Sequence, residues 1–403
     1  MDSETMVAGI PAHVPPELVH DIDLFDLPDG HEDVHLAWRK LQDSRPDMWF
    51  WPRHGGYWVV NRAALLAEAF PDYERFSSDR AISIPPIPGT PAQLPIDADP
   101  PLHGFYRRPL NVAMAPRAVR VLADEARALA IELIEALKPR GQCEFVADFA
   151  RHLPMTIFLR LVDLPLGDRE RLIGLAEKMI RGGTQEAKFA AMTATYAYLE
   201  EWVQRRREHP GDDLLSRIVQ MQVDGRAATH EEALGECALV LFGGLDTVAG
   251  TMSFFARFLA THTAHRRQLV ADPSLIPAAM EELLRRHSIP SLGRKVTRDM
   301  EFGGVQLKQG DRLMLVAPLH GLDERAWPDA LLVDFNRKTD THMAFGAGPH
   351  KCPGANLARA ELLIFLQEWL ARIPEFGIAP GQQAETLPGQ VLGVASLPLA
   401  WVV

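Results

Sequence analysis

The sequence predicts a mainly α-helical protein with small β-sheets near both ends. Three observations carry that expectation. Apolar residues recur at helical spacing over most of the 403 residues. The strand-like runs are short and bounded by glycine turns. A cysteine, Cys352, sits in a Gly/Pro-rich loop, AFGAGPHKCPG, that opens onto a helical pattern.

Each element follows from local chemistry. Residues 118–137 alternate at helical spacing and stop before Pro139-Arg140-Gly141. Further helices are expected over 149–162, 166–181, 186–207, 213–222, 231–261, 264–271 and 276–286, and one follows the cysteine loop from 355. The run YWVV at 57–60 follows a Gly-Gly turn and reads as a strand. Residues 295–316 read as two or three strands joined at Gly303-Gly304 and Gln309-Gly310, and the tail VLGVASLPLAWVV as another small β element.

Composition bounds the function. The chain is 47% hydrophobic and 24% charged, an ordinary globular balance with no linker, repeat or low-complexity tract to divide it. A single domain over 1–403 is expected, with residues 1–20 poorly ordered. The formal net charge of −11 argues against bulk nucleic-acid binding. Three cysteines with no C-x-x-C pair fit no disulfide framework and point to a reducing cytoplasm. The acidic, Pro-rich start has no basic-then-apolar leader. Residues 238–260 are long and apolar enough to span a bilayer, but Asp246 and Arg257 lie inside, so a helix buried in a protein core is the better reading.

Four motifs carry chemistry. In GGLDT, Gly243 to Thr247, two glycines and a buried Asp-Thr pair interrupt an apolar helix. A packing kink would explain the glycines alone. The Thr247 hydroxyl, bonded to the Gly243 carbonyl, would bend the helix beside a pair able to move protons. In EELLRR, Glu282 and Arg285 share a helical face, most often a surface ion pair. In DPPLHGFYR, His103 and Arg107 lie four apart, a donor pair for a carboxylate or a solvated face. Around Cys352 the pattern is F-x-x-G-x-H-x-C-x-G, from Phe345 to Gly354. No nucleophile elbow precedes the cysteine and no further ligands stand at zinc spacing, whereas one thiolate on a rigid loop suits an axial haem ligand. The loop and the helix N-terminus both favour thiolate over thiol.

These motifs, in this order, resemble the cytochrome P-450 family of haem-thiolate monooxygenases. Stretches such as GGLDTV, VQLKQGDRLML, GLDER and ARIPEF resemble its bacterial camphor-hydroxylase branch. The resemblance implies the P-450 fold, with haem b between the long distal helix and the cysteine-loop helix. It implies Cys352 as iron ligand and Asp246 and Thr247 as the acid–alcohol pair of the distal helix. His103, Arg107, Arg294 and His350 would hold the propionates, and Phe345 and Gly243 would pack against the macrocycle. Glu282 and Arg285, joined by Arg337, would brace the cysteine loop. Ile82, Pro91, Leu239, Phe242, Pro290 and Val391 would wall the substrate pocket.

Departures from the branch are informative. Pro91 stands where camphor hydroxylases carry a tyrosine that binds the substrate ketone, with Gln93 nearby. Phe242 replaces a smaller valine, Leu292 an aspartate near a propionate, and Pro353 a leucine whose N–H would face the sulfur. The implied activity is hydroxylation of a small apolar, terpenoid- or norisoprenoid-sized substrate with O₂. Electrons would come from a [2Fe–2S] ferredoxin fed by a flavoprotein reductase, which would dock near Arg107, Lys351 and Arg359. A monomer in the cytoplasm is expected, with no membrane or nucleic-acid partner. The alternatives are a peroxide-using or isomerising haem-thiolate enzyme, against which the Asp246-Thr247 pair argues, and a non-catalytic haem sensor.

Overall fold

The structure, a computed structural model, describes residues 9–85, 90–181 and 184–403. The first region holds α1 (Gly30–Ser44), β1 (Met48–Trp51), β2 (Tyr57–Val60), α2 (Ala63–Ala69) and β3 (Phe76–Ser77). Next come α3 (Leu102–Ala113), α4 (Pro116–Leu137), β4 (Gln142–Glu144), α5 (His152–Leu161), α6 (Arg169–Arg181), α7 (Gln185–Glu208) and α8 (Leu214–Val219). A small hairpin, β5 (Gln222–Val223) with β6 (Arg226–Ala227), precedes α9 (His230–Leu245), α10 (Thr247–Thr261), α11 (Thr263–Ala271) and α12 (Ile276–Arg286). The remainder is β7 (Ser291–Val296), β8 (Met300–Phe302), β9 (Val305–Leu307), β10 (Arg312–Val316), α13 (Ala317–Leu322), α14 (Ala355–Arg372), β11 (Gly377–Ile378), β12 (Glu385–Leu387), β13 (Gly393–Ser396) and β14 (Pro398–Ala400).

The expected mainly α fold with short strands is present. The largest sheet among the described residues has the order β1-β2-β10-β7-β3, with β2 and β10 parallel and the other pairs antiparallel. Trp49, Trp51 and Trp58 are fully buried on or beside this sheet. The tail strand β14 pairs with both β11 and β4, closing the chain's end onto its middle.

Two apolar clusters form the core. The larger joins the main sheet to α4, α10, α12 and α14. Its aromatic knot is Phe145, Phe149, Phe365 and Trp369, with Phe145 and Trp369 edge-to-face at 5.0 Å. Each such ring contributes about 2–3 kcal/mol by burial. The smaller cluster lies between α5, α6, α7, α8 and the outward part of α9.

Four local expectations are corrected. The helix expected over 231–261 is two helices: Asp246 takes φ −136°, ψ −16°, and ends α9. The helix expected over 213–222 stops at Val219, because Asp224 and Gly225 both adopt positive φ and turn the chain into a hairpin. The helix expected from 149 opens with a wide turn over Val146–Ala150, and α5 proper begins at His152. Of residues 1–20, expected to be poorly ordered, 1–8 lie outside the described residues and 9–20 are docked. Val14 is buried, the His13 imidazole hydrogen-bonds Asp311 at 2.8 Å, and Val19 bridges Phe50. The apolar stretch His230–Thr261 is mostly buried in protein, as expected for a core helix.

Candidate active site

The cysteine loop is shaped by close packing. Gly346 and Gly348 have φ of +67° and +69°, and a Cβ at Gly348 would lie 2.5 Å from the Pro71 Cα, so glycine is required there. The Cys352 N–H donates to the Phe345 carbonyl at 2.9 Å and closes the loop. The N–H groups of Gly354 and Ala355 face the sulfur, and Pro353, which precedes them, offers none. Cys352 is open on one side. Packing of protein around the rest of its sulfur pushes the thiol up, more than those N–H groups, Arg107 and Arg359 pull it down.

Glu282 and Arg285 are wholly buried and bidentate, at 2.7 and 2.8 Å. Arg285 also donates to the carbonyls of Gly321, Ala330 and Leu332, and Glu282 accepts from Arg337 and the Asp334 N–H. The pair thus braces the 321–337 segment and not the cysteine loop itself. The loop is held by a residue that sequence reasoning missed. Glu281 accepts from His342 at the loop's entry (2.8 Å) and from Arg359 on α14 (2.6 and 3.1 Å). Burial pushes the Glu281 carboxyl up, but His342 and Arg359 outweigh it and bring it down to about 2. The only signal was the Glu-Glu doublet, whose members point about 100° apart on a helix. Arg359 also lies over the Phe345 ring at 4.5 Å. It is neutralised by Glu281 and is no free docking cation, while Lys351 stays exposed.

The four expected propionate donors come together. His103 and His350 meet edge-to-face at 4.6 Å. His350 Nε2 lies 3.2 Å from Ser78 Oγ and 3.7 Å from Asp99 Oδ1, and Asp99 is fixed by Ser77 and the Ser78 N–H. Arg294, 1% exposed on β7, spends Nη1 on the Gly293 carbonyl. Arg107 reaches the Lys351 carbonyl and Asn111. Among the described residues, His103 Nε2, His350 Nδ1 and Arg294 Nη2 are buried with no partner. Burial, with His350 and Arg107 adding, pushes His103 down to about 4, and burial takes Arg294 down to about 10 against the pull of Asp99. Buried donors that destabilise one another's charge call for an anion. The carboxylates of haem b supply that chemistry, so the residues present fit the cofactor.

On the distal side the Thr247 hydroxyl donates to the Gly243 carbonyl at 2.7 Å, as the spacing predicts. Thr251 repeats the pattern onto the Thr247 carbonyl at 2.9 Å. The two glycines differ in purpose. A Cβ on Gly244 would lie 2.7 Å from the Phe158 ring, whereas one on Gly243 would meet nothing within 4 Å, leaving room for a flat group. Burial pushes the Asp246 carboxyl up; Arg151 opposes this and Glu177 adds to it. Arg151, the cation that opposes that rise, is itself ion-paired with Glu177 and was not marked by the sequence.

The expected pocket walls are unequally placed. Leu239, Phe242, Pro91 and Pro290 are half-buried, and Val391, bridged to Pro290, is exposed. Ile82 is 4% exposed, tucked beneath β7, where the Gly293 N–H and the Gln390 amide both donate to its carbonyl. Gln390 also accepts from the Ile84 N–H, which makes it the unpredicted clasp of this wall.

Comparison with known proteins agrees with this geometry. The family model described as Cytochrome P450 matches residues 178–399. A protein described as probable cytochrome P450 127A1 from Sinorhizobium fredii is 35% identical over 97% of each chain. A steroid C26-monooxygenase from Mycolicibacterium smegmatis is 32% identical over 84% of this chain and 86% of that one. The solved structure of cytochrome P450 CYP101C1 covers 98% of this chain and 100% of its own, at 38% identity and a TM-score of 0.89. From fold, donor set and relatives together, the chain belongs to the cytochrome P450 family of haem-b monooxygenases.

Proposed function

We propose that the chain hydroxylates a small apolar molecule of terpenoid or norisoprenoid size, with Cys352 as the axial ligand of haem b. The carrying observation is the convergence of three unpartnered buried donors, on His103, His350 and Arg294, beside Arg107 and the Cys352 sulfur. Arg107, Arg294, His103 and His350 bind the two propionates and fix the cofactor's rotation. Gly354 and Ala355 offer N–H groups to the sulfur and temper its donation. Haem, when bound, supplies iron-centred activation of dioxygen.

The distal residues move protons and keep bulk water out. Thr247 donates to Gly243, which leaves its oxygen lone pairs free to accept at the helix break. Asp246, raised by burial, takes and releases a proton closer to neutrality than an exposed carboxylate. Arg151 and the half-exposed Glu177 link it toward solvent. Leu239, Phe242 and Pro290 exclude water from the reacting end. Electrons arrive from a [2Fe–2S] ferredoxin and its flavoprotein reductase, docking on the Lys351 side. The protein acts as a cytoplasmic monomer.

The test is a ferric spectral titration of the haem-loaded protein with camphor, monoterpenoids and norisoprenoids. A low- to high-spin shift with a non-camphor terpenoid is expected, since Pro91 lacks the hydroxyl that camphor needs. No shift across the panel overturns the substrate class. A normal haem-thiolate spectrum in Cys352→Ala overturns the ligand assignment.

A further inference from the structure

Residues 76–84 run along one edge of β7 and are fastened at two ends. β3 pairs Phe76 with Val296 and Ser77 with Lys295. Further on, the Gly293 N–H donates to the Ile82 carbonyl at 3.1 Å. A Cβ on Gly293 would lie 1.9 Å from the Ala81 carbonyl oxygen, so the segment is pressed onto the strand there. Its near end is tied into the donor cluster, with Ser78 Oγ on His350 and the Ser78 N–H on Asp99. Its far end is tied by one side chain. Gln390 Nε2 donates to the Ile82 carbonyl at 2.8 Å, and Gln390 Oε1 accepts from the Ile84 N–H at 3.0 Å. The Gln390 backbone carbonyl accepts from the Ser291 N–H of β7 at 2.7 Å. The side-chain amide thus does for 82–84 what a peptide unit of a neighbouring strand would do. The Asp97 carboxylate takes the Ile82 N–H, so both backbone groups of Ile82 rest on side chains.

The face of β7 beside this clasp borders open space. Alternate residues of a strand share a face, so Pro290, Leu292 and Arg294 point the same way. Residues directly opposed in a bridge share it too, which adds Val391 across from Pro290. Arg294 is buried and carries the unpartnered Nη2 of the donor cluster. Leu292 and Pro290 are half-buried, and Val391 is 42% exposed. A row of apolar side chains that starts at a buried arginine and grows steadily more open lines a space leading away from the donors. From 290 to 294 the row is about 13 Å long. An apolar molecule of about ten carbons fits along its outer half. Gln390 stands at that outer end, next to Val391, and holds Ile82 and Ile84, both 4% exposed.

We infer that Gln390 is a positioning residue for specificity: its amide sets how close segment 82–84 stands to the Pro290–Val391 corner, and so which carbon of an apolar substrate faces the reacting end. This rests on the pocket reading above and adds the residue that sets the pocket's length. Gln390 touches no reacting group and acts through the backbone it holds. The residue type is demanding. Glutamate keeps the acceptor for the Ile84 N–H but has no donor for the Ile82 carbonyl, and methionine matches the length with neither bond.

The experiment compares Gln390→Met with Ser78→Ala in the haem-loaded protein, with limonene as the probe because it offers several oxidisable carbons. Three quantities are read: amide hydrogen exchange over residues 78–85, the limonene spin-state titration with its product ratio, and the rate of haem transfer to apomyoglobin. In Gln390→Met, exchange over 78–85 should quicken about tenfold, as one lost hydrogen bond allows. The product ratio should shift about tenfold and limonene should bind several-fold more weakly, while haem loss stays within twofold. Ser78→Ala should do the reverse, speeding haem loss several-fold and leaving the product ratio as in wild type. Faster exchange in Gln390→Met with an unchanged product ratio would make the clasp a purely structural tie and overturn the inference. Haem loss that rises equally in both variants would overturn it too, since the segment would then serve the cofactor as one unit. A wild type that shifts with no member of the terpenoid panel overturns the pocket reading and this inference with it. A wild type that shifts with limonene, matched by Gln390→Met in affinity and products, overturns this inference alone.

Discussion

The two sides of the site are built differently. On the cysteine side nearly every polar group is tied. Glu281 holds His342 and Arg359, Glu282 holds Arg285 and Arg337, and the Cys352 N–H closes its own loop. Among the described residues, the nitrogens left unpartnered there include those of the donor cluster. The distal side is held by less. Its frame is a helix break at Asp246, two threonine hydroxyls bonded back to carbonyls, and one ion pair between Arg151 and the half-exposed Glu177. A ligand to a metal must be held rigidly, because misplacement costs affinity directly. A group that passes protons must change partners, so it cannot be fully satisfied. The chain spends its buried ion pairs where position matters and leaves single hydrogen bonds where exchange matters.

That contrast can be broken at several points. The largest effect is expected for Cys352→Ala: complete loss of monooxygenase activity and of the thiolate haem spectrum, measured by reduced carbon-monoxide difference spectroscopy. Thr247→Ala comes next. Haem content and substrate affinity should stay near wild type while product per reductant falls about tenfold or more and hydrogen peroxide is released. Tight coupling in that variant would show that the distal threonine only shapes the helix. Arg151→Leu should slow the coupled rate less, by several-fold, and should move its pH profile, because it removes the cation that opposes the rise in the Asp246 pKa. An unmoved profile would remove Arg151 from the proton route.

Glu281→Gln tests the rigid side. It removes the charge in two partly buried, charge-assisted contacts, and about 2 kcal/mol of stability should go with it, read as a lower urea midpoint. Glu282→Gln should cost more because that pair is fully buried, yet it should disturb haem retention less, since its partners lie in residues 321–337 and not in the cysteine loop. Equal haem loss from the two variants would mean that the two braces act as one unit.

Much of this was legible in the sequence for a physical reason. Local rules decide local features. The i to i−4 spacing fixes the Thr247–Gly243 bond, the Gly-Gly and Gln-Gly turns fix the strands between 295 and 316, and periodicity gives α12 its bounds. What was missed depends on partners distant in sequence or on competition between side chain and backbone. His13 finds Asp311, 298 residues away, which no window of sequence can show. Apolar periodicity runs unbroken through Asp246, so it hides the break that the threonine hydroxyls and the buried carboxylate impose there. Glu281 and Glu282 are indistinguishable as letters, and only the helix's orientation decides which faces the loop. The hairpin at Asp224-Gly225 has its turn signal in view, but the helical pattern before it reads three residues too far.

The smallest prediction concerns acid. Behind the rigid side, His35 of α1 is wholly buried, with Nε2 on the Ser288 carbonyl at 2.8 Å and its ring edge-on to Phe254 and His287. Burial, with Arg286 adding, pushes it down to about 4; Asp33 and the Ser288 carbonyl oppose this only in part. The unfolded chain binds a proton near pH 6.5, so it binds more protons than the folded chain across the whole interval below that. The stability His35 lends is therefore complete above pH 6.5 and is lost as pH falls toward 4. From pH 7 to pH 6 the loss is about 0.7 kcal/mol for this one group, and it steepens toward about 1.4 kcal/mol per pH unit below. His35→Gln keeps a donor for the Ser288 carbonyl and cannot titrate. Its urea midpoint should start lower at pH 7 and fall less steeply between pH 7 and pH 5 than that of wild type. Parallel lines would mean that the imidazole is already satisfied in both protonation states, and the acid sensitivity of the rigid side would then have to come from its carboxylates alone.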